Sequence, residues 1–333
     1  SSPISDVGTA EEGQLVSAEP TGRGPRAGVR VTEVLGDPLA PNSFSMIAIA
    51  KHGIPHVFPE AVLSEAQLAA KLPVTTDKRE DLRNVPIVAI DPADARDHDD
   101  AIWAAPDESE DNAGGFRAIV AIADVSHYVR PGSALDREAR KRGNSVYFPD
   151  RVVPMLPEEL SNGLCSLNPH VDRLAMVCEI TLSKSGNMTD YQFYEAVIHS
   201  HARLTYNKVS SMLEQPSSAE GKGLIGEYGE VLPDLKQLYA LYKILLKARH
   251  ARGAIDFETQ ETRIVFGAGR KISEIKPTER NDAHKLIEEC MLCANVATAR
   301  FLQDHDIPGL YRVHDGPPLE RQEKLRAFLG ELG

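Results

Sequence analysis

The segment Asp91-Pro92-Ala93-Asp94-Ala95-Arg96-Asp97-His98-Asp99-Asp100 constrains this chain more than any other. Five carboxylates and one arginine occupy ten residues, between the β-branched run 87–90 and the apolar run that begins at Ala101. Apolar runs on both sides hold such a segment at the end of a sheet rather than free in solvent. Carboxylates crowded there repel one another, so some take a proton or share a cation. Several oxygens converging on one point suit a hard divalent ion, Mg²⁺ or Mn²⁺. In an extended stretch Asp97 and Asp99 point one way and Asp100 the other, and a bend could bring all three, with Asp91, around one or two metals. Other readings stand beside this one. An Asp-rich loop can be a solvated turn. A calcium loop does not fit, because Ala101 and Ile102 stand where an oxygen ligand and a glycine are required. An HD-type phosphohydrolase built on His98-Asp99 needs further histidines on helices, and zinc wants Cys or His ligands.

Around this segment the periodicity changes along the chain. Val29, Val31 and Val34 alternate with polar residues, as in a half-buried strand before a turn at Asp37-Pro38. Residues 1–22 are polar and small, and read as frayed. Residues 60–72 have helical spacing, with Val62, Leu63, Ala66, Leu68 and Ala69 as the apolar stripe. Strand patterns at 87–90, 117–123, 176–182 and 191–198 follow, the last two flanking a hairpin turn at Ser185-Gly186-Asn187. Two long helices come later. One has Pro233 at its start and Gly253 at its end. The other begins near Asn281, with Ala283, Leu286, Ile287, Cys290, Ala294, Ala297 and Phe301 on one face. Strands before helices predict an α+β class.

Composition narrows the function classes. The chain has 333 residues, 42% hydrophobic and 26% charged, which is ordinary for globular domains. No apolar run approaches the ~20 residues of a membrane span. Four cysteines make no disulfide framework and point to a reducing compartment, so the expected location is the cytoplasm. Cys290-x-x-Cys293 has no second pair and lies on a helix, so it reads as core. The net charge of −12 argues mildly against a nucleic-acid partner. A helix opened by a Ser133/Asp136 capping box and stopped at Gly143 partly answers that objection. Its last turns carry Arg137, Arg140, Lys141 and Arg142, either as surface charge complementing the helix dipole or as phosphate contacts.

IDPADARDHDDAI resembles the signature of the RNB exoribonuclease family, most closely its bacterial ribonuclease R-like branch. Further blocks agree: IADVSHYVRPGSALDREARKRGNSVYFPDRVVPMLPEELSNGLCSLNP, SHARLTYNKV and RNDAHKLIEECMLCAN. Residues 84–333 are thus identified as an RNB-type nuclease domain, a mixed sheet with surrounding helices. Residues 1–58 are similar to the last part of a cold-shock, OB-type barrel, and 59–83 read as a linker. The resemblance implies a metal-dependent hydrolytic 3′→5′ exoribonuclease that acts on the 3′ end of single-stranded RNA and releases nucleoside 5′-monophosphates. The catalytic aspartates of the family match Asp91, Asp97, Asp99 and Asp100, which implies a Mg²⁺ site, with Mn²⁺ as the alternative, and no small-molecule cofactor. Asp91 and Asp100 are the expected direct ligands, with Asp97 and Asp99 completing the cage or orienting the water, a division that suits two-metal phosphodiester hydrolysis. A tyrosine that clamps the 3′-terminal base corresponds to Tyr147, and a phenylalanine that stacks on the other side to Phe257. Tyr206 and Glu288 match positions used around the 3′ end. The family usually carries Phe where this chain has His98, a departure that leaves the carboxylates intact and bears on the packing behind them.

Two further functions stay open from sequence: an RNA-binding or regulatory relative without turnover, and another metal-dependent phosphodiesterase. Association with RNA-decay or ribosome-linked factors is a third open point. In the family the nuclease domain continues past the position of Gly333 with an Arg-bearing block, and an S1-type domain usually follows. The chain therefore reads as a fragment, with apolar helix faces around Leu286 and Leu325 expected to lack partners.

Overall fold

The computed structural model describes residues 3–22, 27–38, 40, 43–255, 261–268 and 271–332. The leading part is a three-stranded sheet of β1 (Ile4–Asp6), β2 (Leu15–Pro20) and β3 (Val29–Gly36), in the order β1-β3-β2. Val29, Val31 and Val34 of β3 are half-buried while Arg30, Thr32 and Glu33 are exposed, as the alternation predicts. Residues 1–22 are not frayed where described. β3 offers backbone groups on both edges, and β1 and β2 pair with them. Helices α1 (Ser43–His52) and α2 (Glu60–Ala69) follow. The stretch read as a linker thus contains α2, whose Val62, Ala66 and Ala69 are buried in the core of the main sheet while Leu68 faces solvent.

The main sheet has seven strands. In chain order these are β4 (Glu80–Leu82), β5 (Val88–Asp91), β6 (Asp100–Pro106) and β7 (Phe116–Ala123). Short helix α3 (Val125–Tyr128), α4 (Ala134–Arg142), the hairpin of β8 (Val146–Tyr147) and β9 (Val152–Val153), and a π-helical turn at Glu159–Leu164 come next. The sheet resumes with β10 (Asp172–Leu182), β11 (Met188–His199) and β12 (Ala202–Thr205). Its order is β12-β5-β6-β7-β10-β11-β4, with the outer pairs β12/β5 and β11/β4 parallel and the rest antiparallel. The remaining elements are α5 (Tyr206–Leu213), α6 (Ala219–Glu227), α7 (Leu232–Ala251), the hairpin β13 (Thr262–Phe266) and β14 (Ile272–Pro277), α8 (Asp282–Asp304) and α9 (Leu319–Leu332). This is the α+β class expected.

Both faces of the sheet are covered, and the central strands are therefore apolar on both sides. Val88, Ile90, Ile102, Ala118 and Val120 pack toward α5, α7 and α8. Ala89, Ala101, Ile119 and Ala121 pack toward α2, α4 and the π-turn, whose Leu135 and Leu160 are fully buried. Leu286, expected to lack a partner, is buried in the first of these cores, whereas Leu325 on α9 is 57% exposed. Among the described residues no helix is long and apolar enough to cross a membrane.

The basic helix α4 resolves into distinct roles. Ser133 caps it by accepting from the Asp136 N–H, and Gly143 ends it at φ 77°. Arg140 pairs with Asp136 on the outside. Arg142 is buried, with a side chain 2% exposed. Its guanidinium donates to Glu138 (2.9 Å), to the Pro154 carbonyl (3.0 Å) and to the Val57 carbonyl (3.0 Å), and lies 3.6 Å from the Phe58 ring centroid. It is a bracket between Val57–Phe58 and the Pro154 segment beside the main sheet, not a phosphate contact. Removing one partner of a buried ion pair leaves the other uncompensated and costs roughly 3 kcal/mol. Arg142→Ala should therefore lower unfolding stability in urea by about that amount, while Lys141→Ala, at an exposed position, should stay within about 0.5 kcal/mol. Equal effects of the two would refute the bracket.

Candidate active site

Antiparallel pairing of β5 with β6 puts the end of one strand beside the start of the other, so Asp91 and Asp100 share one end of the sheet. Val88 pairs with Ile102, and the segment between Asp91 and Asp100 closes the turn. β12 runs parallel to β5 with Thr205 opposite Asp91, which brings Tyr206 to the same end. Here alternation works as expected: Asp97 and Asp99 turn outward on either side of His98, which is fully buried.

The turn is fixed by backbone bonds. The His98 N–H donates to Ser166 Oγ (3.0 Å), and the His98 carbonyl accepts from the Leu167 N–H (2.8 Å). Ser166 Oγ also donates to the Arg96 carbonyl, and Arg203 donates to the Ala95 carbonyl (2.7 Å). The Asp99 carbonyl accepts from the Ala123 N–H. Two side chains orient carboxylates: His98 Nδ1 lies 2.7 Å from Asp91 Oδ2, and the Tyr147 hydroxyl donates to Asp97 Oδ2 at 2.9 Å.

The electrostatics separate two kinds of carboxylate at this end. Asp100 is pushed up to about 6, first by burial and then by the negative charges of Asp91 and Asp99. Asp99 is raised in the same way, by its packed surroundings and then by Asp97 and Asp91. Asp124, at the end of β7, behaves oppositely. Burial alone would raise it, but Arg79 at 2.6 Å and Ser126 bring it below the usual carboxylate range. Asp124 is thus a neutralised structural anchor, whereas Asp99 and Asp100 have no arginine or lysine paired with them among the described residues. An all-carboxylate donor set with excess negative charge suits a hard divalent cation. The side chains as placed do not close on one point. Among the described residues no three His, Cys, Asp or Glu side chains form a metal-ligand group.

The other candidate positions divide. Tyr147 is 65% exposed, with its ring open to solvent and its hydroxyl on Asp97. Tyr206 is raised to about 12 by burial and then by Asp91 and Asp100, which places it beside them. Its ring stacks on His284 at 3.9 Å between centroids. Glu288, one turn further along α8, is paired with Arg280 and lies 4.0 Å from Arg249, so its carboxylate is held by arginines. Phe257 lies outside the described residues. Sequence reasoning missed Ser166, Asn281 and His284. Asn281 caps α8, accepts from the His284 N–H and donates to the Tyr206 carbonyl, tying the helix start to the site. An Asn before the apolar helical stripe was a visible signal for the cap, while nothing in the spacing marks Ser166.

The raised value of Asp100 has a signed consequence. A carboxyl whose folded-state value exceeds the ordinary 3.8 favours the fold below that value and loses the contribution as pH rises through about 6. In chelator-treated protein the thermal midpoint should carry a falling component between pH of about 4 and about 6. Asp100→Asn, neutral throughout, should remove that component and raise the midpoint at neutral pH. Identical pH profiles for the two proteins would mean that Asp100 is not held above the ordinary carboxylate range.

Comparison with known proteins places the chain's fold in a family. The RNB domain model matches residues 79–332, and a cold shock domain model matches residues 3–59. Ribonuclease R of Vibrio parahaemolyticus is 52% identical over 329 residues, covering 97% of this chain and 38% of that protein. Ribonuclease R of Escherichia coli K12 is 49% identical over 320 residues, with 96% and 38% covered. The chain thus spans well under half the length of these curated relatives. Mycoplasma genitalium RNase R, solved in complex with ribose methylated single-stranded RNA, superposes with a TM-score of 0.84 at 32% identity, over 97% of this chain and 50% of that one. With a match over most of its length and its four turn aspartates at one sheet end, the chain belongs to the RNB domain family.

Proposed function

We propose that this chain carries the hydrolytic centre of a metal-dependent 3′→5′ exoribonuclease that acts in the cytoplasm on single-stranded RNA and releases nucleoside 5′-monophosphates. The observation that carries the reading is the cluster of Asp91, Asp97, Asp99 and Asp100 around one sheet end, with no lysine or arginine paired to it among the described residues, beside the open ring of Tyr147. Its four aspartates would hold Mg²⁺, with Mn²⁺ as the alternative. A divalent cation bound there would supply an activated water and stabilise the leaving oxygen. The remaining work falls to the chain's own groups. Asp91 and Asp100, rooted in β5 and β6, are the rigid holders. Asp97 and Asp99, on the outer face of the turn, complete the cage and orient the water. Tyr147 offers a stacking surface for the terminal base, worth about 1–3 kcal/mol and indifferent to sequence. Tyr206 and Glu288 flank the terminal ribose.

The relatives named ribonuclease R, and the Mycoplasma complex with single-stranded RNA, support a single strand as the partner. An acidic chain is no obstacle to this, because the turn aspartates themselves need a cation before a phosphate can approach.

A time course on 5′-labelled RNA, with and without Mg²⁺, tests the reading. Products should shorten progressively from the 3′ end only when the ion is present. Internal cuts, or binding without turnover, would overturn it. Asp99→Asn should lower hydrolysis by at least about 10²-fold, the scale set by removing one preorganised charged group, while RNA affinity holds or improves. Parallel losses of binding and cleavage would make Asp99 structural. Tyr147→Ala should lengthen the shortest end product more than it slows the initial rate, since a stacked terminal base matters most when few nucleotides remain. An unchanged product ladder would remove Tyr147 from the clamp.

A further inference from the structure

His98 sits where the RNB resemblance leads one to expect a phenylalanine, and its surroundings suit an apolar ring. The side chain is 0% exposed, and its Nε2 is buried with no hydrogen-bond partner among the described residues. Burying an imidazole desolvates both ring nitrogens, and leaving one unmatched is a cost that phenylalanine would not carry. Among the described residues one contact offsets it: Nδ1 lies 2.7 Å from Asp91 Oδ2. An ionised carboxylate can only accept, so Nδ1 carries the hydrogen and donates. The geometry is fixed from three sides. The residue's N–H is on Ser166, its carbonyl is on Leu167, and the ring is enclosed. The imidazole therefore cannot follow Asp91 if that carboxylate turns, and Asp91 keeps this bond only in one orientation.

We propose that His98 is a positioning residue, locking the Asp91 carboxylate so that one oxygen is committed to the protein and only the other is free for a cation. The inference rests on the reading of Asp91 as part of a divalent-metal centre. It adds a chemical preference. A carboxylate offering one oxygen suits a small ion of octahedral habit such as Mg²⁺ or Mn²⁺, whereas one offering both oxygens suits the larger Ca²⁺, which accepts bidentate carboxylates. Replacing the imidazole by phenylalanine frees the second oxygen and relaxes that preference. Partners behind a metal ligand commonly change metal affinity by about 10–100-fold when removed.

The test uses the full-length protein. Mn²⁺ affinity is measured by electron paramagnetic resonance, with Ca²⁺ as competitor, for the unaltered protein, His98→Phe, His98→Asn and Asp91→Asn. His98→Phe should bind Mn²⁺ about ten-fold more weakly and become more sensitive to Ca²⁺. Its kcat should fall while KM for RNA holds. His98→Asn, whose amide N–H falls near the place of Nδ1, should recover part of the loss. A second measurement needs no substitution at this position. In protein labelled with ¹⁵N-histidine, the Nδ1 resonance of His98 should move on addition of Mg²⁺ and stay still in Asp91→Asn. Unchanged Mn²⁺ affinity and Ca²⁺ competition in His98→Phe, or a stationary Nδ1 resonance in the unaltered protein, would reduce His98 to packing and leave the metal centre standing. Equal Mn²⁺ binding by Asp91→Asn and the unaltered protein would instead remove Asp91 from the metal centre, and the proposal with it.

Discussion

Negative charge confined at one end of a fully covered sheet is the constraint on which the rest of this structure depends. Burial of both sheet faces makes β5 and β6 rigid, and their antiparallel pairing forces Asp91 and Asp100 together. The turn between them cannot relax outward, because Ser166, Leu167 and Arg203 hold its backbone. Burial first, and then repulsion among the neighbouring carboxylates, raises Asp99 and Asp100. Asp124 shows the ordinary solution for a carboxylate in this place, an arginine at 2.6 Å. Among the described residues, no arginine or lysine is paired in this way with Asp91, Asp97, Asp99 or Asp100.

Around this centre the charged residues sort by burial rather than by number. Arg142 is spent inside the protein, joining Val57, Pro154 and Glu138. Asp282 plays a comparable part at the start of α8, where Tyr239, Tyr242 and Lys243 all donate to it and bind α7 to α8. Asn281 beside it reaches Tyr206. The long helix is thus anchored at the end that approaches the aspartates, and its apolar face then carries Leu286, Cys290 and Ala294 across the sheet.

Much of this was legible in the sequence, for identifiable reasons. The acidic turn announces itself because five carboxylates cannot share a sheet end without a purpose. The hairpin at Gly186 and the ends of α4, α7 and α8 are written in local turn and cap residues, which act over a few positions. What was not legible depends on partners distant in sequence. Residues 1–22 look frayed because their polar and small residues outnumber the few apolar ones, such as Leu15 and Val16, and it is pairing with β3 that orders them. The helix inside the stretch read as a linker, α2, owes its place to α4 and the π-turn. Arg142 could not be told from its exposed neighbours, because which face of α4 is covered is a tertiary fact. Tyr206 and Glu288 entered only through family resemblance, and the stack of Tyr206 on His284 joins residues from α5 and α8.

The alternation of β5 between two cores also bears on how such a sequence can change over time. Val88 and Ile90 face one core and Ala89 the other, and Asp91 is the next residue in that register. A single inserted or deleted residue between Ile87 and Asp91 would exchange the faces, drive a large side chain into the space of an alanine and swing the carboxylate out of line. Length variation is therefore forbidden here, and substitution is restricted to residues of similar volume. The acidic, exposed connection between β6 and β7 has no such double constraint, so lineages can lengthen it freely. The position of Asp91 is fixed by the packing of its apolar neighbours in β5.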